Sequence, residues 1–243
     1  MENNFTTRTS FLVGDDGIEK LNNSNIIVFG VGGVGSFTVE ALARAGVGNI
    51  TIVDFDDVDI TNINRQIPAL HSTVGRYKVD VMEERILDIN PNINIKKIRS
   101  LYNKDTSDEI LTERYDYVVD AIDMVSSKIH LIETCEKKGL KIISSMGMGN
   151  KLDPTKIVVT DIHKTSTCPL AKVMRKELRD RGIKKLKVVY STEQPIELKK
   201  KVMNGRKVTP GSVSFVPSVG GLIIASVIAV SYTHLTLPTI CSV

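Results

Sequence analysis

The sequence predicts an α/β fold built on a doubly wound, mainly parallel sheet, and three observations carry that expectation. Short apolar runs alternate with helix-like stretches through the first 150 residues. A turn rich in glycine, Gly30-Val-Gly-Gly-Val-Gly35, follows the first apolar run directly and opens a helix-like stretch. A second run, closing on Asp54, comes about 20 residues later. Strand, glycine turn, helix and acid in this order make the expected sheet Rossmann-like.

Each element has a local reason. Residues 26–29 (Ile-Ile-Val-Phe) form an apolar strand, 36–45 a helix, and 49–53 the strand ahead of Asp54. A polar stretch over 56–66 precedes a helix over 74–89, with Val79, Met82, Ile86 and Ile89 at helical spacing and Asn90-Pro91 as its stop. Strands follow at 93–98 and 115–122, the latter running into Asp123. A helix over 126–138 ends at Gly139, and the strand 141–145 leads into the turn Gly147-Met148-Gly149. Beyond residue 150 the reading is two strands, 156–162 and 185–191, around a basic helix opening at Pro169. A strand over 213–217 and a helix opening at Ser218 complete the chain's regular part.

The 243 residues suffice for one sizeable core, and no linker breaks them. The opening Met1-Glu2-Asn3-Asn4 lacks a basic and then apolar leader, and Cys135, Cys168 and Cys241 are too scattered for a disulfide framework or a zinc tetrad. A reduced, cytoplasmic protein without zinc is the expectation. Leu222 to Val230 is apolar for only nine residues, against the roughly 20 of a membrane span, so none is expected. Net charge is +4, yet Lys172 to Lys207 holds 13 Lys and Arg against four acids, which leaves the remainder at −5. That imbalance points to a polyanionic partner such as nucleic acid, although a charge run is also the ordinary dress of a solvated face. Lys172, Arg175, Lys176, Arg179, Arg181, Lys184 and Lys185 are the candidate phosphate contacts, within a cluster that continues through Lys187, Lys199, Lys200, Lys201, Arg206 and Lys207.

The glycine turn is where a nucleotide would sit. Gly30 permits the tight turn, Gly32 and Gly33 admit a phosphate close to the backbone, and Gly35 lets helix and strand pack. Asp54 would accept from ribose hydroxyls, or merely cap the turn. The same glycines fit a nicotinamide cofactor, but the stretch from Asp54 through Asp56 to Gln66 is crowded with carboxylates, amides and Arg65. Hydride transfer has no use for such a segment, whereas a triphosphate held with Mg2+ does. Arg65 and Lys78 are the candidate cations, with a solvated surface role as the alternative, and Asp123 rather than Asp120 is the candidate metal ligand.

These residues carry a resemblance. Gly30-Val-Gly-Gly-Val-Gly35, the run Asp54-x-Asp56-x-Val58-x-x-Thr61-Asn62-x-Asn64-Arg65-Gln66, Lys78 and Asp120-Ala-Ile-Asp123 resemble the ubiquitin-activating-enzyme-like adenylyltransferases of the ThiF, MoeB and HesA type. Within that superfamily the chain is most similar to the tRNA threonylcarbamoyladenosine dehydratases, through residues 8–226 and including Asp153-Pro-Thr155 and Asp161-Ile-x-Lys-Thr165. The resemblance implies ATP and Mg2+ as cofactors, with Gly30, Gly32, Gly33, Gly35, Asp54, Asp56, Asn62, Asn64, Arg65, Gln66 and Lys78 around the nucleotide. It implies a catalytic set of Arg65, Lys78, Asp123 and an Arg8 sent into a partner's site by a homodimer. The implied reaction adenylates the threonyl carboxylate of N6-threonylcarbamoyladenosine in the tRNA anticodon loop and closes it to a cyclic, dehydrated form. A sulfur-transfer protein is a possible further partner.

Other readings stay open at this stage. The chain would be an activator of a ubiquitin-like sulfur carrier, although such relatives usually carry two zinc-binding Cys-x-x-Cys pairs that it lacks. A nicotinamide-dependent oxidoreductase and a nucleotide-sensing RNA-binding module are further alternatives. Cys168, ahead of Pro169 at a helix start, is either a nucleophile favoured by the dipole or a small core residue; Cys135 reads as core. His71, His130 and His163 lack metal-ligand spacing. The domain expectation is one unit over 1–226, with a nucleotide-binding core at about 24–150 and a basic substrate-binding extension at about 151–226. The stretch from Ser231 resembles translated adapter read-through, which makes 227–243 a candidate non-native tail and sets His234 and Cys241 aside.

Overall fold

The computed structural model describes residues 4–112, 114–204 and 207–233. Arg206, the opening Met1 to Asn3, and 234–243 with His234 and Cys241 lie outside the described residues. One seven-stranded sheet runs in the order β3-β2-β1-β4-β5-β7-β6. Its strands are β1 (Asn25–Phe29), β2 (Asn49–Val53), β3 (Asn94–Ile98), β4 (Tyr117–Asp120), β5 (Ile142–Ser145), β6 (Ile157–Asp161) and β7 (Lys187–Ser191). All pairings are parallel except that of β6 with β7. Crossovers through α2 (Gly35–Ala45), α3 (Lys78–Ile89) and α5 (Val125–Lys138) explain the parallel part, since a parallel return needs a helix-length connection. Central strands are buried on both faces, which is why Ile26 to Phe29 read as a continuous apolar run.

Two of the long helices depart from the sequence reading. An N-terminal helix α1 (Thr7–Asn22) precedes β1, interrupted at Gly14, whose φ of +72° breaks the helical repeat that sequence patterning depends on. The last helix, α7 (Phe215–Thr233), begins where a strand over 213–217 was expected, with Pro217 in its first turn, where a missing N–H costs nothing. It also continues through Ser231, Tyr232 and Thr233, past the expected stop. The nine-residue apolar count therefore understated a helix of 19 residues, long and apolar enough by itself to cross a membrane. One side of it packs into the core: Val216, Ile224 and Ile228 are fully buried, and Thr38 Oγ1 on α2 donates to the Gly221 carbonyl at 3.1 Å. A Cβ on Gly221 would lie 2.3 Å from the Val34 carbonyl oxygen, so α7 meets the start of α2 backbone to backbone.

On the other face, α6 (Pro169–Asp180) buries Ala171, Met174 and Leu178 against β7 and α5 and leaves its basic side to solvent. α5 ends on Gly139 at φ +65°, the left-handed cap the sequence called for. A short helix α4 (Ser107–Ile110) and a two-residue hairpin, β8 (Met203–Asn204) with β9 (Lys207–Val208), complete the fold.

Candidate active site

Neighbouring strands β1 and β4 send their chains in opposite directions, β1 through α2 to β2 and β4 through α5 to β5. The crevice above their carboxyl ends is therefore the topological switch point where open α/β sheets bind ligands. A cavity of about 350 Å3 occupies it.

Gly30 turns the chain out of β1 at φ +87°, and a Cβ there would lie 2.7 Å from the Ala121 carbonyl oxygen. A Cβ on Gly35 would lie 1.8 Å from the Gly30 carbonyl oxygen, so α2 starts in contact with the turn itself. Gly35 thus packs beneath the cavity, whereas Gly30, Gly32 and Gly33 line it. Asp54 and Asp56 stand on one wall, Arg65 and Gln66 beside the glycines, and Asp123 on the side of β4.

Asp54 closes the turn. Its Oδ2 accepts from the Val31 N–H at 2.6 Å and its Oδ1 from the Asp56 N–H at 2.9 Å. Burial pushes its carboxyl above the ordinary range, and the two backbone donors offset only part of that. Lys78 opens α3 with its chain buried and its Nζ 2.7 Å from Asp56 Oδ2. The Arg65 guanidinium is held by oxygens, the Thr61 carbonyl at 3.0 Å and Asn64 Oδ1 at 2.8 Å, and forms no salt bridge among the described residues. A guanidinium fixed in direction without a carboxylate partner is prepared for an anion. The Gln66 amide oxygen is buried without a partner.

Asp120 and Asp123 part company. Asp120 is fully buried at the end of β4, and Asp123 is exposed on the cavity wall. Among the described residues no three His, Cys, Asp or Glu gather into a cluster. A hard cation needing one or two carboxylates beside phosphate oxygens and water suits what is present, since Asp123 faces the same space as the glycine turn.

Two expectations need correction. Asn62 does not line the cavity: its Oδ1 accepts from the Asp59 N–H at 3.3 Å and caps a short 3-10 turn. Asn64 does not line it either, but joins two residues that do: its amide donates to the Ser212 carbonyl at 3.0 Å and its Oδ1 accepts from Arg65 at 2.8 Å. Both asparagines build the segment that carries Arg65. Arg8, expected to serve a partner's site, is exposed on α1 and lies outside this chain's own cavity.

Several wall residues escaped the sequence reading. Ser100 to Tyr102 come from beyond β3, and the switch-point rule would have found them had the strand order been known. Tyr102 stacks edge-on against Phe29 at 4.7 Å and contacts His130 Nδ1 at 3.1 Å, which gives that histidine a structural part. Met146, Met148, Leu170 and the segment 210–212 form the opposite end, and Pro217 arrives from α7.

Leu170 places the first turn of α6 at the cavity rim, so the basic side of that helix leads away from the site. Lys172, Lys176 and Arg179 are exposed along it, and Lys184 and Lys185 are exposed just beyond its end. Arg175 is half-buried and held by the fold, and Arg181, although exposed, is engaged in ion pairs. Arg175 donates to the Thr165 carbonyl at 2.9 Å, and Arg181 pairs with Glu177 at 2.7 Å and Glu133 at 3.5 Å. Cys168 is 2% exposed ahead of Pro169 and packs with Met146 and Ala171, and Cys135 is buried, its thiol pushed up to about 12 by desolvation.

Comparison with known proteins agrees with this geometry. The profile of the ThiF family matches residues 6–238. A tRNA threonylcarbamoyladenosine dehydratase of Bacillus subtilis is 49% identical over 228 residues, covering 89% of this chain and 90% of its own. One of Escherichia coli is 41% identical over 193 residues, covering 76% and 72%. The crystal structure of E. coli tRNA N6-threonylcarbamoyladenosine dehydratase in complex with ATP superposes with a TM-score of 0.85 at 35% identity, across 93% of this chain and 92% of that one. The same enzyme in complex with AMP gives 0.85 at 36% identity. A glycine turn at the switch point, two cations beside it and this degree of likeness agree: the chain belongs to the ThiF family.

Proposed function

We propose that this chain is an ATP-dependent tRNA threonylcarbamoyladenosine dehydratase. The observation that carries the reading is a cavity in which Arg65, Lys78 and Asp123 converge on the glycine turn, in a chain 49% identical along nearly its whole length to an enzyme of that name.

The chemistry follows from the problem of the leaving group. A carboxylate oxygen leaves poorly, and AMP leaves well. ATP would lie with its ribose toward Asp54 and its phosphates over the amino end of α2, where backbone N–H groups and the helix dipole favour negative charge. The threonyl carboxylate oxygen attacks the α-phosphorus, and the bond to the β-phosphate oxygen breaks to release pyrophosphate. The carbamoyl group of the same side chain then attacks the acyl carbon and expels AMP, so the nucleoside loses one water in total. Arg65 and Lys78 offset the charge that develops on the phosphates. Asp123 would hold Mg2+, which when bound draws charge from the triphosphate.

Because the second step is intramolecular, the enzyme needs no nucleophile of its own, consistent with the burial of Cys168. Lys172, Lys176, Arg179, Lys184 and Lys185 form the phosphate-contacting face for tRNA. A homodimer accounts for Arg8, which would reach the nucleotide of a second copy. The test is incubation with threonylcarbamoylated tRNA and Mg-ATP, followed by nucleoside mass analysis. Loss of one water with stoichiometric AMP supports the reading. Unchanged nucleoside, with pyrophosphate exchange driven by a carrier protein's C-terminus, would replace it.

A further inference from the structure

Beneath the cavity lies a charged pair that the proposed reaction does not use. Asp120 and Lys128 are both fully buried, with Nζ to Oδ2 at 2.9 Å. A buried ion pair is a poor way to stabilise a fold, because desolvating two charges consumes most of their attraction and apolar residues of similar volume often serve as well. The hydrogen bonds around this pair show what else it does. Asp120 Oδ1 accepts from the Ile122 N–H at 3.2 Å, and Lys128 Nζ donates to the Ile122 carbonyl at 3.0 Å. Ile122 is thereby held through both of its backbone groups, one by each member of the pair. Ser144 Oγ donates to Asp120 Oδ2 at 2.5 Å and ties the arrangement to β5.

What is held in this way is part of the cavity wall. Ile122 and Asp123 both line it, as does Ser145, the neighbour of Ser144. Asp120 lies in register between Phe29, the residue before the glycine turn, and Ser144. The Ala121 carbonyl is the group against which Gly30 packs. Lys128 comes from the first turn of α5, so the pair closes the connection from β4 to α5 across its base.

We propose that Lys128 and Asp120 are a positioning pair that fixes the backbone of Ile122 and so sets Asp123 where it would hold Mg2+ beside the outer phosphates of ATP. The proposal rests on the nucleotide reading of the cavity, and it is tested by binding, without tRNA. The double variant Asp120→Asn with Lys128→Met removes both charges together and leaves no unpaired buried ion. It should fold with a Tm near that of the parent. Its Kd for ATP in Mg2+, by calorimetry, should rise by about tenfold or more, the size of effect that outer-shell partners have on a ligand they orient. Its Kd for AMP, which lacks the phosphates that Asp123 serves, should stay within about threefold of the parent on the same argument. Equal weakening of ATP and AMP would mean general support of the fold and would overturn the proposal, as would parental affinity for both. Should the double variant not fold, Ser144→Ala removes one hydrogen bond to Asp120 and is measured in the same way. A selective rise in the Kd for ATP supports the pair, and unchanged binding overturns it. A parent chain that fails to bind ATP at all would instead overturn the nucleotide reading.

Discussion

Two glycines three residues apart in one turn should fail in different ways. A Cβ on Gly35 would lie 1.8 Å from the Gly30 carbonyl oxygen and 2.9 Å from its carbon. Ordinary contact requires more than 3 Å, so Gly35→Ala must move the start of α2 by about 1 Å against a turn that is itself packed on Ala121. That places the cost at or above the upper end of overpacking, about 3 kcal/mol, which for a domain of this size lowers Tm by roughly 6–12 °C. At Gly32 the nearest atom to an added Cβ is Gln66 Nε2 at 3.7 Å, and the new methyl would project into the cavity. Gly32→Ala should therefore change stability by less than about 0.5 kcal/mol. It should weaken ATP roughly 10- to 100-fold, the worth of one or two charge-assisted backbone contacts to phosphate. Thermal unfolding followed by ATP calorimetry on both variants decides the matter. A Gly35→Ala protein with the parental Tm, or a Gly32→Ala protein with parental ATP affinity, would refute the argument.

Four further outcomes are expected. Glu40 joins α2 to α3 through Arg85 at 2.6 Å and also binds Arg44 at 2.7 Å; burial raises its carboxyl, but the two guanidiniums outweigh it and hold it below the ordinary range. An acid depressed in the folded state contributes stability above its unfolded pKa and loses it as pH falls through the folded value, so Glu40→Gln should cost about 1 kcal/mol at pH 7 and progressively less under acid conditions. Removing Lys176 and Arg179 together should reduce the slope of log K for tRNA against log salt by about 1.5, whereas Arg181→Ala should lower Tm with little change in that slope. Cys168→Ala should keep turnover within about threefold of the parent, and a loss of about 100-fold at unchanged Tm would reinstate a covalent role. Arg8→Ala should reduce ATP turnover about 100-fold if the residue reaches a second copy's phosphates, and unchanged turnover removes it from the site.

Much of this architecture was legible because its causes are local. An apolar run followed at once by glycines specifies a strand and a turn whatever surrounds them, and Gly139 marks a helix end through its own φ. The helix α1 was missed because Gly14 interrupts the pattern. α7 was started late because Val213 to Pro217 has strand-like composition, and packing against α2 overrode that preference. Asn62 and Asn64 show the same limit in the site. Arg65 and Gln66 beside them line the cavity, yet Asn62 is taken up by a cap within its loop and Asn64 by the Ser212 carbonyl far along the chain.

The chain alone determined the strand, turn and helix that make a phosphate seat, and the presence of Arg65 and Lys78 shortly after it. It also set the distribution of charge, which needs only counting. Tertiary structure decided that Lys128 lies beneath the site rather than on a helix surface, that Asn64 reaches across to Ser212, and that Arg175 and Arg181 already hold partners within the chain. Those outcomes depend on strand order and on which elements stack above a given side chain. Such contacts join residues far apart in sequence, where no local periodicity records them.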